Sequence, residues 1–295
     1  MPLPYTKLNP NSRGDGNYAP HKPLLLLCIL DMAESGELDS PRLEETPGLR
    51  LRFDAYWAIV QPRWGGLPGL DQPFHYLRSQ GFWQTFTKEG HPSTADRSTA
   101  YVELNSQFIA DLSDATRRDE IRRLLVETWF PEPEQRALYA AFGWSPAKLR
   151  QIEWSDSADK DAEATGRNAN FRVQVVTQYR FTCALTGYGC HTSKGHALVE
   201  AAHIHAFHKS HNNSPTNGLA LTRDAHWMFD KGLWTLDPRH RVLVADEIFA
   251  EWGPETEWLR TRHQQPAIFN PGTALRPAEQ RLNWHRTQVF NQLDS

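Results

Sequence analysis

The chain has 295 residues, a formal net charge of −3, and 39% apolar and 11% aromatic residues. That length suits two domains, each able to bury its own core, and the near-neutral charge excludes a globally basic nucleic-acid binder, so any surface for a polyanion must be local. Eleven tryptophans argue against disorder, and three cysteines (Cys28, Cys183, Cys190) are too few for a disulfide scaffold and suit a reducing compartment.

No apolar run approaches the ~20 residues of a membrane helix, and the opening MPLPYTKLNP lacks the charged-then-apolar pattern of a signal peptide. A soluble, cytoplasmic protein with no membrane partner is expected. Residues 10–21 (PNSRGDGNYAPH) form a polar, turn-rich lead-in, with Pro20 and Pro23 restricting the residues before them. Lys22 to Ala33 predicts a helix that is apolar on nearly every side, stopped by Ser35 and Gly36. Arg50 to Val60 is helical or ambiguous, and a Gly/Pro-rich connection runs from Pro62 to Asp71. In Gln72 to Phe86 (QPFHYLRSQGFWQTF), aromatics are spaced among His75, Arg78 and Gln80. This stretch reads either as an aromatic core strand or turn, or as a surface that stacks on and hydrogen-bonds to nucleic acid.

Phe108 to Trp129 predicts one amphipathic helix. Its Arg117, Arg118, Arg122 and Arg123 alternate with Asp111, Asp114, Asp119 and Glu120, so a solvated, salt-bridged face is expected over phosphate contact. Pro131 to Trp154 again predicts helix, and Ser155 to Gly166, acidic and small, predicts a linker. The expected division is a recognition domain over 1–154, a linker over 155–166 and a second domain over 167–295. That second domain opens on FRVQVVTQYRFTCALTG, a helix running into a turn. Beyond Pro254 helix is expected only near the end, where Trp284, His285, Val289 and Phe290 pack back on a core.

Seven of the 13 histidines fall between His191 and His226, and histidine is both the common metal ligand and the common near-neutral base. An apolar run ends in His203; Asn217 follows fourteen positions on, His226 nine beyond that, and Asp230 four further. His226 and Asp230, at i and i+4, share a helix face and can grip one ion. Phosphodiester hydrolysis needs an activated water, compensated charge and a stabilised leaving oxygen, which one histidine and one metal ion can supply. The mixed N/O donors suit Mg2+ or Mn2+, with softer ions such as Zn2+, Ni2+ or Co2+ able to take the same place in a crystal. Glu200, the nearest carboxylate, stands three positions from His203 and so on the opposite face of an extended strand; it is not expected to serve the site.

From Phe181 to Asp237, the AHI at Ala202 to Ile204, the NGL at Asn217 to Leu219 and the HWMFD at His226 to Asp230 resemble the HNH nuclease domain. The resemblance implies a ββα-metal fold, with His203 as general base, Asn217 as the residue orienting it, and His226 and Asp230 on the metal side. Relatives often carry a metal-binding Asp or His where this chain has Ala202. Upstream, APHKPLLLL (Ala19 to Leu27) and PFHYLRSQGFW (Pro73 to Trp83) resemble the sulfur-binding domain of phosphorothioate-dependent restriction endonucleases, which precedes an HNH domain. That family's cavity, built on a Tyr-Pro pair with nearby His and Arg, implies DNA recognition by His21, Lys22, Gln72, Pro73, His75 and Arg78. Gln72 stands in place of the tyrosine and Lys22 in place of the arginine.

The expectation is therefore an α+β protein, a mostly helical N-terminal recognition domain followed by a ββα-metal HNH domain. It acts as a divalent-metal-dependent endonuclease of restriction or phage-defence type on double-stranded, modified DNA, as a homodimer. The alternatives are an HNH effector directed by another DNA modification or gated by a partner or ligand, and a non-catalytic DNA-binding protein.

Overall fold

Seven consecutive apolar residues, Leu24 to Leu30, leave a helix no polar face to turn toward water, and the fold buries all of them to 1% exposure or less. Burying each such leucine contributes about 2 kcal/mol. The computed structural model describes residues 5, 7–14, 17–38, 40–144, 160–245, 249–252, 257–272 and 275–290. The chain divides into two units, residues 1–170 with 193–196, and residues 171–192 with 197–295. The class is α+β: helices with small antiparallel sheets. No helix among the described residues is long and apolar enough to cross a membrane.

In the first unit the buried helix is α1 (His21–Glu34), packed against α2 (Pro47–Trp64) and α3 (Asp71–Tyr76). Strands β1 (Arg42–Glu44), β2 (Trp83–Phe86) and β3 (Tyr101–Leu104) form an antiparallel sheet in the order β1-β3-β2. Pairing of Trp83 with Leu104 turns both side chains inward. The buried Arg52 holds α2 to the end of α1, its guanidinium donating to Asp31, Ser35, Glu37 and the Gly48 carbonyl.

The helix expected over Phe108 to Trp129 is two helices, α4 (Ser106–Ser113) and α5 (Ala115–Trp129). Asp114 is the break. Its backbone is extended, and its carboxylate accepts from the Thr116 and Arg117 N–H groups at 2.8 and 3.0 Å. An aspartate that caps the next helix competes with continuing the previous one. Asp114→Ala is expected to cost about 1 kcal/mol in chemical denaturation; an unchanged midpoint would remove the cap from this account. Arg122 departs from the expected solvated face: it is fully buried, paired with Glu34 and Asp119. Arg117 does pair on the surface, with Glu120.

Helix α6 (Glu132–Ala141) occupies the first part of the next predicted helix, and residues 145–159 lie outside the described residues. Helix α7 (Lys160–Gln178) covers 160–166, the described part of the expected linker. Its Lys160, Ala162, Glu163 and Ala164 are good helix formers, which the acidic composition disguised. Gly166 lets α7 settle on α6, since a Cβ there would stand 2.0 Å from the Ala137 carbonyl oxygen.

In the second unit β4 (Glu200–His203) pairs antiparallel with β5 (Gly218–Leu221), with the short α8 (Phe207–Ser210) between them. Helix α9 (Arg223–Asp230) follows at once, completing a ββα unit. A hairpin of β6 (Trp234–Leu236) and β7 (Val242–Val244) comes next. After the single-turn α10 (Trp258–Thr261), the chain closes on α11 (Glu279–Gln288), the terminal helix expected from sequence, which packs on β6. His285 of α11 is buried, stacked on Phe229 at 3.6 Å, and bonded to both the Thr235 hydroxyl and the Phe229 carbonyl.

Candidate active site and recognition cleft

The ladder of the second unit sets His203 opposite Gly218 at its open end. The imidazole lies flat on Phe171 of α7, with centroids 3.9 Å apart and planes 9° from parallel, and Phe207 approaches at 5.5 Å. A side chain at position 218 would prevent this packing: a Cβ there would stand 2.3 Å from Val175 Cγ2 and 3.0 Å from the Phe171 ring. The ring's polar partner is Asn213, whose Oδ1 lies 2.9 Å from His203 Nε2. A carboxamide oxygen only accepts, so Nε2 carries the proton and Nδ1 keeps its lone pair, as a base requires. Burial is the main cause holding the His203 pKa below its ordinary value; Asn213 opposes this and the charge on His226 adds to it.

Asn217, expected to orient this ring, acts one step back. Its carbonyl accepts from the Ile204 N–H at 2.9 Å. Its buried carboxamide brackets the backbone of His205, accepting from the N–H at 2.9 Å and donating to the carbonyl at 3.1 Å, and also donates to the Asn212 carbonyl. The reason is positional: Asn217 precedes Gly218, so it fastens the loop at the ladder's mouth, while Asn213 inside the loop folds back to the ring.

His226 and Asp230 share the expected face of α9, with His226 Nε2 3.4 Å from Asp230 Oδ2. Glu200, set aside on sequence grounds, also comes here, its Oε1 2.8 Å from His226 Nδ1. The strand-face argument fails because the partner is on α9: Glu200 pairs with Leu221, two residues before that helix begins. A proton on Nδ1 shared with Glu200 leaves Nε2 as the donor beside Asp230, the arrangement by which carboxylates orient metal-binding imidazoles. Burial raises the Asp230 pKa, against the pull of His226 and Lys231. Adjacent ligands of an octahedral ion stand about 3 Å apart, so the 3.4 Å pair fits a divalent cation that keeps several water positions. Among the described residues no group of three or more His, Cys, Asp or Glu side chains is gathered as a cage. Ala202 points into the core and is fully buried.

Residues 183–237, which contain all four of these positions, match the family described as HNH endonuclease. The chain carries an HNH endonuclease domain. Among solved structures, one titled "Modification dependent TagI restriction endonuclease" is similar at 20% identity, with a TM-score of 0.33. That match covers 41% of this chain and 38% of the other, well under two thirds of its length. No curated protein matches the sequence.

Apart from the HNH domain, the first unit has a cleft of about 550 Å3 that brings together five of the six expected recognition residues: His21, Lys22, Gln72, Pro73 and Arg78. His21 packs on Trp57 at 4.6 Å, and burial and Arg13 lower its pKa. Lys22 is half-buried, its ammonium donating to the Leu8 carbonyl at 3.0 Å, and burial lowers its pKa. Arg78 donates to the Ser93 carbonyl at 2.8 Å. The sixth, His75, is not in the cleft: it is fully buried and bonded to Thr99. Gln72 and Tyr76 share a face of α3 at i and i+4, and Tyr76, missed from the sequence, lines the cleft. Reading this segment as a helix would have found it.

Proposed function

We propose that the protein is a divalent-metal-dependent DNA endonuclease of restriction or defence type, whose first unit directs it to DNA with a modified backbone. The observation that carries the nuclease reading is the His203 ring, held through Nε2 by Asn213 with Nδ1 left basic, in the same matched segment as the His226–Asp230 pair. In this reading His203 Nδ1 takes the proton of the attacking water, and burial keeps the ring neutral and ready at physiological pH. Phe171 and Asn213 fix its plane, and Asn217 keeps the loop in place behind it. His226 and Asp230 would hold Mg2+ or Mn2+, which supplies charge compensation at the phosphate and the departing oxygen. Glu200 orients His226.

The first unit would read the modification. Sulfur is larger and less strongly hydrated than the oxygen it replaces, so a cup with apolar walls favours it. The cleft offers the Pro73 and Tyr76 side chains for such a wall, with Lys22 and Arg78 around it for the backbone charge and His21 as a neutral hydrogen-bonding group. Cutting both strands with a single-site domain calls for two copies, so the active species is a homodimer, acting in the cytoplasm, where the sparse cysteines suit the redox state. Sedimentation showing monomers both free and on cleavable DNA would end the dimer reading.

The test is plasmid cleavage in Mg2+ or Mn2+ with phosphorothioate-modified and unmodified DNA. Cutting of the modified plasmid alone is expected. A wild type inert on every substrate sinks the enzyme reading, and equal cutting of both plasmids sinks only the selectivity for sulfur.

A further inference from the structure

Two residues past the base, the second unit carries a second built feature that the reaction just described does not use. The His205 ring stacks on Trp284 of α11, with centroids 3.9 Å apart and planes 18° from parallel. Two cations sit on this stack: Arg281, with Nη1 3.4 Å from His205 Nδ1, and Lys209, with Nζ 5.4 Å from the Trp284 ring centre. Among the described residues neither has a carboxylate within ion-pair distance. The acid nearest in sequence on the helix, Glu279, is taken by Arg286.

The platform is fixed in place. Asn217 brackets the His205 backbone from both sides. The Ala278 N–H, just before α11, donates to the Thr216 carbonyl at 2.9 Å. His285 ties the far side of α11 to Phe229, the neighbour of Asp230. Burial and the two cations lower the His205 pKa, so the imidazole stays neutral and adds no competing charge. A surface arginine or lysine is ordinarily balanced by nearby acid or left on a mobile stem. Two uncompensated cations on an anchored aromatic base match a polyanionic ligand with regularly spaced charges.

We propose that Lys209 and Arg281, on the His205–Trp284 stack, form a phosphate clamp for the DNA backbone beside the scissile bond, which makes α11 part of the substrate surface. The clamp rests on the nuclease reading, since it names where that same substrate is held.

The test measures binding of the full chain to a short fluorescein-labelled DNA duplex by anisotropy, in EDTA, across a salt series. Each phosphate contact contributes about 0.9 to the slope of log affinity against log salt. Lys209→Gln with Arg281→Gln is therefore expected to reduce the slope by about 2 and weaken binding roughly 10- to 100-fold at low salt. The swap Lys209→Arg with Arg281→Lys should restore the slope. Lys209→Gln alone, at an exposed position that bears on no core contact, should reduce it by about 1. Cleavage by these variants should keep the wild-type pH profile, which a change in the base would move. A wild-type slope in the single and double variants, while wild type still cuts, overturns the clamp and leaves the nuclease standing. A wild type that neither binds nor cuts any duplex overturns both.

Discussion

Replacing His203 with alanine is expected to lower the cleavage rate about 10²- to 10⁴-fold, the usual worth of a positioned general base, with the fold intact. The ring is only half-buried and its loss leaves Phe171 and Asn213 in their own contacts, so thermal unfolding should shift far less than the rate. The pH profile gives a sharper check. The active form is the neutral ring, so the rate rises with pH through the His203 pKa and is level above it. Burial and the charge on His226 act in one direction against the single opposing hydrogen bond to Asn213. The acid limb of kcat/KM should therefore have its midpoint below the ordinary histidine value of about 6.5. Asn213→Asp places a carboxylate against Nε2, favours the charged ring, and should move that limb upward. Cleavage by His203→Ala within a few-fold of wild type would remove His203 as the base, and a limb above 6.5 would remove burial as the control.

The second large effect concerns stability and belongs to His285. Its ring is sealed between Phe229, Thr235 and the Phe229 carbonyl, and burial depresses its pKa to about 4. The unfolded chain, with an ordinary imidazole, binds a proton between pH 6.5 and 4 that the folded chain refuses. Stability from this group is thus complete above 6.5 and falls as pH drops toward 4, by about 3 kcal/mol in all. Urea denaturation at pH 7 and pH 4.5 should show that loss on top of whatever the carboxylates contribute. His285→Gln, which can still donate to the Phe229 carbonyl and does not titrate in this range, should show a correspondingly smaller loss. Equal pH dependence in the two proteins would count against the buried neutral ring.

Much of this was legible in the sequence where one residue type forces one answer. A helix apolar on all sides had to be central, as α1 is. The i, i+4 spacing of His226 and Asp230 had to put them on one face. What stayed hidden depends on contacts that only folding creates. Asn213 is one of several polar residues in a loop without periodicity, and nothing in its spacing tells that this amide turns back to His203. Strand periodicity turns Glu200 away from His203, but its partner is on the helix beyond the neighbouring strand. Between Gln72 and Tyr76 aromatic content points to a strand or turn, yet the backbone is helical, which places Tyr76 on the cleft and leaves His75 buried. Asp114 illustrates a local rule masked by a stronger pattern: amphipathic spacing runs across it, and its capping chemistry still divides the helix.

Gly218 carries no chemistry, yet the aromatic plate beneath the base depends on it. Because even a methyl group there would collide with Val175 and Phe171, a saturation screen for activity should find this position as intolerant as His203 itself, with alanine the mildest failure. Rescue would have to come from the opposite side: trimming Val175 should recover activity for Gly218→Ala, whereas no second change recovers His203→Ala. Intolerance of this kind separates residues that shape the ground on which the reaction stands from those that touch the proton.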